Sequence, residues 1–135
     1  MSFKDDGDVI LLLGVDTILG DSSALAGTEF LELVHGIVAG QLSINLDLER
    51  RVQDLCRSSI NSGIVKSAHD VSDGGIGVAL AESCMVGGVG VRSNCHINGR
   101  WDAVLFGEIQ SRIIISLSRD SVEQFSEMAK ALDVP

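Results

Sequence analysis

The chain has 135 residues, and its 19 acidic and 10 basic side chains give a formal net charge of −9, which argues against a nucleic-acid-binding surface. Hydrophobic residues make up 45% of the chain and proline occurs once, so one ordered globular domain over residues 1–135 is expected rather than a disordered segment. The sequence contains neither an apolar signal core nor an apolar run near the ~20 residues of a membrane span, so a soluble protein with no membrane partner is expected.

The first predicted element is a strand at Asp8–Gly14. This run is apolar between its ends and stops on glycine, which is typical of a buried inner strand. The small and turn-forming residues from Val15 to Gly27 predict a loop at the carboxyl end of that strand, where ligands often bind. Asp16 and Asp21 in this loop are interpreted as turn formers whose carboxylates bond to nearby backbone N–H groups.

Two helices are predicted next. Thr28–His35 has apolar residues at helical spacing, with Thr28 as its N-cap and Gly36 as its stop. Asp47–Ser62 has an apolar face opposite a charged face, which predicts an amphipathic helix that ends at Gly63.

The three cysteines predict no covalent or metal framework. Cys56, Cys84 and Cys95 are widely spaced and form no C-x-x-C pair, so neither a disulfide network nor a zinc site is indicated. Cys56 and Cys84 fall in apolar helical patterns and are interpreted as core residues. Free thiols fit a reducing compartment, so a cytoplasmic location is expected.

The last third of the chain is predicted to contain three short strands and one helix. The strands are Val89–Arg92, Ala103–Phe106 and Arg112–Leu117. A polar, hairpin-like stretch at Asn94–Asp102 joins strands short enough to pair antiparallel. Asp120 and Glu123 resemble a capping box at the start of the final helix.

The order of these elements predicts the fold class. Strands and helices alternate without a regular parallel pattern, so we expect an α+β domain with a layered mixed β-sheet covered by helices. Because a strand would be expected to follow the final helix, the chain is interpreted as a fragment of a larger multidomain protein, cut at a domain edge.

The stretch Ser67–Gly75 is the most informative part of the sequence. Ile64 and Val65 before it are interpreted as the end of a strand, and Ile76–Val86 after it predicts a helix that is apolar almost all the way round. A turn from a strand into a helix directs unpaired backbone N–H groups and the positive end of the helix dipole at one point. That arrangement favours an anion.

This turn predicts a metal–phosphate site. The predicted nucleotide- or phosphate-binding residues are Ser72, Asp73, Gly74 and Gly75. The adjacent glycines let a ligand approach the backbone closely. Asp70 and Asp73 would repel a bare anion, so a divalent cation is expected between carboxylate and phosphate, with Asp70 as its ligand. The alternative is a purely structural turn, in which Ser72 or Asp73 caps the helix and no ligand binds.

Neither His69 nor His96 is predicted to be catalytic. A lone histidine beside an apolar strand is more often a hydrogen-bonded core residue than a base. No serine or cysteine nucleophile arrangement accompanies His69, so no catalytic residue is assigned.

Four blocks of the sequence, in order, resemble one family. They are LAGTEFLELVHG at residues 25–36, LDLERRVQDLCRSSINSGIVKSAHD at 46–70, SAHDVSDGGIGVALAESCM at 67–85 and LFGEIQSRIIISL at 105–117. Together they are similar to the C-terminal-type domain of the aminoimidazole ribonucleotide synthetase superfamily, and within it to the phosphoribosylformylglycinamidine synthase family. The resemblance covers nearly the whole chain and implies a mixed sheet covered by helices.

The resemblance also implies roles for particular residues. Asp70 matches the position of a magnesium-binding aspartate in the family's other, related half. Glu108 and Gln110 match the E-S-Q motif that contacts the substrate in the family's catalytic half. Ile109 stands where the family has serine, so one hydroxyl donor is missing from that contact.

The reaction implied by the family is an ATP-dependent ligation in purine biosynthesis. Formylglycinamide ribonucleotide and glutamine-derived ammonia give formylglycinamidine ribonucleotide, with Mg2+ and ATP or ADP as cofactors. The implied partners are the N-terminal-type ATP-binding domains of a parent chain and a glutaminase domain or subunit. Those ATP-binding domains carry the principal ATP contacts in the family, so this chain alone is expected to be inactive. The Ser67–Gly75 turn of this chain resembles that of the C-terminal half of the family's enzymes, whose nucleotide site is auxiliary rather than catalytic.

Two other functions stay open at this point. One is another superfamily member, such as a thiamine-monophosphate kinase, because part of the DVSDG segment is shared; the GTEFLELVHG and FGEIQSR blocks favour the synthase. The other is a non-catalytic nucleotide-binding or interaction module.

Overall fold

The computed structural model describes residues 1–14, 19–94 and 98–135, with only the backbone of Leu19. Its elements in chain order are β1 (Val9–Leu13), β2 (Leu19–Gly20), α1 (Glu29–His35), α2 (Leu46–Asn61), β3 (Val65–Asp70), α3 (Gly75–Gly87), β4 (Asn98–Gly99), α4 (Trp101–Phe106), β5 (Ile113–Leu117) and α5 (Val122–Ala131). Short 3-10 turns lie at Ser22–Leu25 and Arg119–Ser121. Asp16, Cys95 and His96, for which roles are predicted above, lie outside the described residues.

The main sheet is antiparallel and has the strand order β1-β5-β3. A separate two-residue pair, β2 with β4, is parallel. Helices packed on an antiparallel sheet confirm the predicted α+β class, although parallel pairing occurs only in the small pair. β1 lies at an edge of the described sheet rather than inside it. The β-branched run of β5 takes the centre, where Ile114 is 2% and Ile115 0% exposed.

One face of the sheet is closed by α2 and α5. The side chains buried there, all between 0% and 1% exposed, are Val52, Leu55, Ile115, Leu117 and Phe125. The predicted amphipathic helix is thereby confirmed as α2. Cys56 lies in the same cluster, and burial raises the pKa of its thiol, which fits the core position predicted for it.

The opposite face of the sheet is covered by α3. Its apolar cluster contains Phe3, Val71, Ile76, Ala79 and Ile114. Polar groups lie within this layer as well, because the hydroxyls of Ser67 and Ser116 are 2.6 Å apart across β3 and β5. A cleft of about 960 Å³ lies beside the layer, between β1, Leu80 and residues 89–93. This face is therefore less completely closed than the first.

The first helix begins and ends as predicted. Leu31 donates its backbone N–H to Thr28 Oγ1 at 3.2 Å, and Gly36 follows the last turn in a left-handed conformation. Thr28 is 2% exposed and donates its hydroxyl to the Leu25 carbonyl at 2.9 Å. The N-cap thus also fixes the helix to the preceding 3-10 turn.

The predicted strand at Ala103–Phe106 is wrong, because these residues belong to α4. Ala103 and Val104 are buried in the helix, and Phe106 stacks on Phe30 with ring centroids 4.8 Å apart. A short apolar run fits either a strand or a helix, so packing against neighbouring elements decides its conformation.

Two further predictions in this region are also wrong. Val89–Arg92 forms no strand and lies in irregular structure after the left-handed Gly88. The described part of Asn94–Asp102 forms no hairpin, because β4 pairs in parallel with β2, far away in sequence. Both errors arise because the partner that a strand needs cannot be read from a local pattern.

The elements on either side of the Ser67–Gly75 stretch differ in extent from those predicted. Val65 begins β3 instead of ending a strand, so Ser67–Asp70 lie within that strand. α3 is not buried all the way round, since Met85 is 74% and Val86 67% exposed. None of the helices in the described part of the chain is long and apolar enough to cross a membrane.

The final helix is present, but its predicted capping box is not. Asp120 lies inside the 3-10 turn before α5, and the N-cap residue Ser121 makes no side-chain capping bond. The hydroxyls of Ser118 and Ser121 are 2.8 Å apart and pair with each other. Phe125, 1% exposed, instead fixes the helix to the core.

Candidate functional site

A cleft of about 490 Å³ brings together most of the predicted site residues. Asp70 at the end of β3, Ser72 and Asp73 in the following turn, and Glu108 and Gln110 in the loop before β5 all line it. Glu49, Val52 and Gln53 of α2 complete one wall. The larger cleft of about 960 Å³ contains none of these predicted residues. The smaller cleft is therefore the candidate site, because the chemically informative residues lie there and not in the larger one.

The Asp70 carboxylate is open to solvent, with 72% of its side chain exposed. Its Oδ1 lies 3.7 Å from Nδ1 of His69. The His69 side chain is 8% exposed; its Nδ1 lies 2.7 Å from the Asp70 carbonyl oxygen, and its Nε2 lies 3.0 Å from Glu82 Oε2 of α3. His69 is thus a hydrogen-bonded core residue, as predicted, while Asp70 presents an exposed carboxylate to the cleft.

The described residues do not form a complete metal-binding cage. Among the described residues, no group of three or more His, Cys, Asp or Glu side chains is close enough to hold a metal ion. Asp70 and Asp73 provide two carboxylates at the cleft. Mg2+ commonly takes one or two carboxylates and completes its coordination shell with phosphate oxygens and water. The two carboxylates therefore fit a Mg2+ ion that is also bound by a phosphate, and not an ion held by protein side chains alone.

Gly74 and Gly75 both have left-handed backbones, with φ of 79° and 68°. A Cβ atom on Gly75 would lie 2.6 Å from the carbonyl oxygen of Gly107 and 2.8 Å from that of Leu105. The close neighbour at Gly75 is therefore the backbone at the end of α4, whereas the sequence predicts close approach of a ligand. Glycine is required here for helix–loop packing.

Two N–H groups of this turn, those of Gly74 and Gly75, already have acceptors inside the protein. Gly74 donates its N–H to Glu108 Oε1 at 2.8 Å, and Gly75 donates to the Ser72 carbonyl at 3.0 Å. α3 has Gly74 as its N-cap and no side-chain cap from a neighbour. The structural alternative, a local cap from Ser72 or Asp73, is therefore not what the turn contains. A carboxylate 34 residues further along the chain caps the helix.

The loop that carries Glu108 is organised by Arg112, which sequence reasoning missed. Arg112 is 4% exposed and donates Nε–H to the Ile109 carbonyl at 3.0 Å and Nη2–H to the Gly107 carbonyl. Burial lowers the pKa of its guanidinium to about 10, so it stays charged at neutral pH. The only sequence signal was a cation directly after a short polar loop.

Gln110 and Ile109 lie on the open side of the same loop. Gln110 is exposed, and its side-chain amide donates to the Glu108 carbonyl at 3.3 Å. Ile109 is 39% exposed at the position of the family serine. An apolar side chain there can contribute contact area to a ligand but no hydrogen bond.

The charges lining the cleft are mainly negative. The carboxylates are Glu49, Asp70, Asp73 and Glu108, and Arg112 is the buried cation below them. Such a lining disfavours a bare phosphate and favours a ligand that brings its own cation.

Comparison with known proteins identifies the family. The model of "AIR synthase related protein, C-terminal domain" matches residues 5–135. A phosphoribosylformylglycinamidine synthase subunit PurL of Thermomicrobium roseum is 44% identical over 140 aligned residues, covering 100% of this chain and 18% of the relative. The PurL of Thermosynechococcus vestitus is 48% identical over 121 residues, covering 85% and 16%. The chain thus spans less than a fifth of the length of these relatives.

Solved structures show the same fold. The structure titled T. maritima PurL complexed with FGAR matches with a TM-score of 0.74 at 17% identity, over 98% of this chain and 23% of that one. E. coli HypE, a hydrogenase maturation protein, matches with a TM-score of 0.53 at 16% identity, over 93% and 39%. Since the family model covers almost the entire sequence, the chain belongs to the family of AIR synthase related protein C-terminal domains.

Proposed function

We propose that this chain is the C-terminal-type domain of a phosphoribosylformylglycinamidine synthase, an ATP-dependent ligase of purine biosynthesis. The observation that carries the proposal is the 44% identity to a PurL subunit over the whole chain. Structural likeness alone would not separate this function from others, because the hydrogenase maturation protein shares the fold. The domain would contribute one part of a site that further domains complete.

Each predicted site residue has a role in this proposal. Asp70 and Asp73 would hold Mg2+ together with the phosphates of ATP or ADP. The turn at Ser72–Gly75 would lie beside that metal-bound phosphate, while the N–H groups of Gly74 and Gly75 keep their acceptors inside the protein. Glu108 and Gln110 would contact the substrate. When bound, Mg2+ would neutralise the charge that develops during phosphoryl transfer.

The chemistry left to the protein is positioning. Phosphoryl transfer activates the substrate's amide oxygen, and ammonia then displaces phosphate; both steps need the reacting groups held in line and water kept out. The exposed Asp70 carboxylate suits a metal that arrives with its nucleotide. The remaining ATP-binding domains, a glutaminase that supplies ammonia and a cytoplasmic location belong to the same proposal.

The test is a calorimetric titration of the longer synthase chain that contains this domain with ADP, at increasing Mg2+. Asp70→Asn should weaken Mg2+-dependent ADP binding by about tenfold or more, because a neutral amide replaces a charged metal ligand. Asp54→Asn is the matched control: Asp54 is also an exposed aspartate, but it pairs with Arg57 on α2 outside the cleft. Equal binding in the wild type and Asp70→Asn would contradict the metal assignment, and no Mg2+-dependent binding at all would contradict the nucleotide site.

A further inference from the structure

One carboxylate oxygen joins the starts of two helices. Glu108 Oε1 accepts the N–H of Gly74, the N-cap of α3, at 2.8 Å and the N–H of Glu29, the first residue of α1, at 3.0 Å. These donors are 34 and 79 residues away from Glu108 in the sequence. Helix starts carry unpaired N–H groups and a partial positive charge, so an ionised carboxylate is a favourable acceptor there.

The Glu108 backbone is fixed on both sides of the side chain. Its own N–H donates to the Ala24 carbonyl at 3.1 Å. The Arg112 guanidinium holds the carbonyls of the two adjacent residues, Gly107 and Ile109. The carboxylate is therefore presented to the two helix starts by a loop that is itself held in place, so little conformational entropy opposes the contact.

We propose that Glu108 is a positioning residue whose carboxylate acts as a built-in anion of the cleft. Its Oε1 occupies the place at Gly74 that a ligand phosphate would otherwise take, and it locks α1 to α3. This fixes the turn that carries Ser72 and Asp73. Among the described residues Oε2 has no hydrogen-bond partner, so it is the oxygen that meets a donor group of the ligand. The ligand side of this inference rests on the proposed function; the locking of the helices does not.

Glu108 changes which groups the turn can recognise. With Gly74 and Gly75 both donating inside the protein, a phosphate reaches this cleft through a metal at Asp70 and Asp73 and not through the N–H groups at the N-cap. Glu108 would then accept a hydrogen bond from a neutral or cationic donor of the ligand, such as an amide or amine, because a second anion would be repelled.

The locking is tested on the 135-residue protein by following the backbone amide signals of Gly74 and Glu29 in 1H–15N spectra. Glu108→Ala should shift both signals and should lower the protection of both amides against hydrogen exchange by about fivefold or more, since a helix cap is lost at each. Added sodium formate should then return both signals toward their wild-type positions in a saturable way, with one common affinity. The wild type should not respond, because its own carboxylate fills the place.

Two further variants separate this role from general stability. Glu108→Gln keeps an acceptor oxygen, so both amide signals should stay close to their wild-type positions. This variant can be measured even if Glu108→Ala folds poorly. Glu49→Ala removes a different carboxylate of the same cleft and should leave both amide signals in place. Unchanged Gly74 and Glu29 signals in Glu108→Ala, or signals that shift but do not respond to formate, would overturn the proposal. None of these measurements uses a nucleotide, so failure of the proposed function would leave their outcome unaffected.

Discussion

The two faces of the sheet differ in how completely they are closed. α2 and α5 cover one face with side chains that are 1% exposed or less, among them Leu55 and Phe125. The other face carries a hydroxyl pair, the His69 ring and a cleft of about 960 Å³ beside α3. Apolar burial contributes roughly 25 cal/mol per Å², so most of the stability should come from the closed face.

This difference also affects which residues need specific partners. Polar groups in the α3 layer must be paired to be tolerated, which ties that layer to specific partners such as Glu82 and Ser116. The candidate cleft lies where the α3 turn, the loop before β5 and the start of α2 meet. A closed face on one side and a partly open layer on the other would suit the ligand-binding role proposed above.

The largest expected effect lies in the closed face. Leu55→Ala should lower the free energy of unfolding by about 2–5 kcal/mol, because Leu55 is 0% exposed and its removal leaves a cavity. Urea denaturation followed by circular dichroism measures this. Leu33→Ala, at a position 80% exposed, is the matched control and should stay within about 0.5 kcal/mol of the wild type. Similar losses for both variants would contradict the assignment of the closed face as the main core.

A smaller effect is expected where α3 meets the backbone after α4. Gly75→Val should cost about 2–4 kcal/mol, because the left-handed backbone is strained for valine and its Cβ would lie 2.6 Å from the Gly107 carbonyl oxygen. Gly88→Val, at the other end of the same helix, has a similar φ of 66° but nothing within 4 Å of the added Cβ. The difference between the two urea midpoints isolates the steric part, and equal midpoints would show that no close approach exists at Gly75.

The elements with local signals were predictable from the sequence. α1 has its cap at Thr28 and its stop at Gly36, and α2 has a continuous apolar face, so both helices follow from spacing alone. The β-branched run of β5 likewise predicted a strand. Each of these signals lies within the element that it specifies.

The parts that were not predictable depend on residues far apart in the chain. α4 is helical where a strand was predicted, and its Phe106 stacks on Phe30, which lies far away in the sequence. The cap of α3 comes from Glu108 and not from Ser72 or Asp73 beside it. The sequence therefore predicted most residues of the candidate site, but not the hydrogen bonds between them.

The smallest expected effect lies on the open side of α3, the helix that the sequence predicts to be apolar almost all the way round. Met85 is 74% exposed, so Met85→Gln should change the free energy of unfolding by no more than about 0.5 kcal/mol. Ile76 on the same helix is 9% exposed, and Ile76→Gln should cost about 2–4 kcal/mol, since it places an amide in an apolar cluster. Urea titrations of both variants at two protein concentrations measure the contrast.

A loss above about 1 kcal/mol for Met85→Gln would mean that this side is covered in solution, and a midpoint that rises with protein concentration would identify self-association as the cause. Equal and small losses would instead show that α3 contributes little on either side, leaving the closed face to support the fold alone.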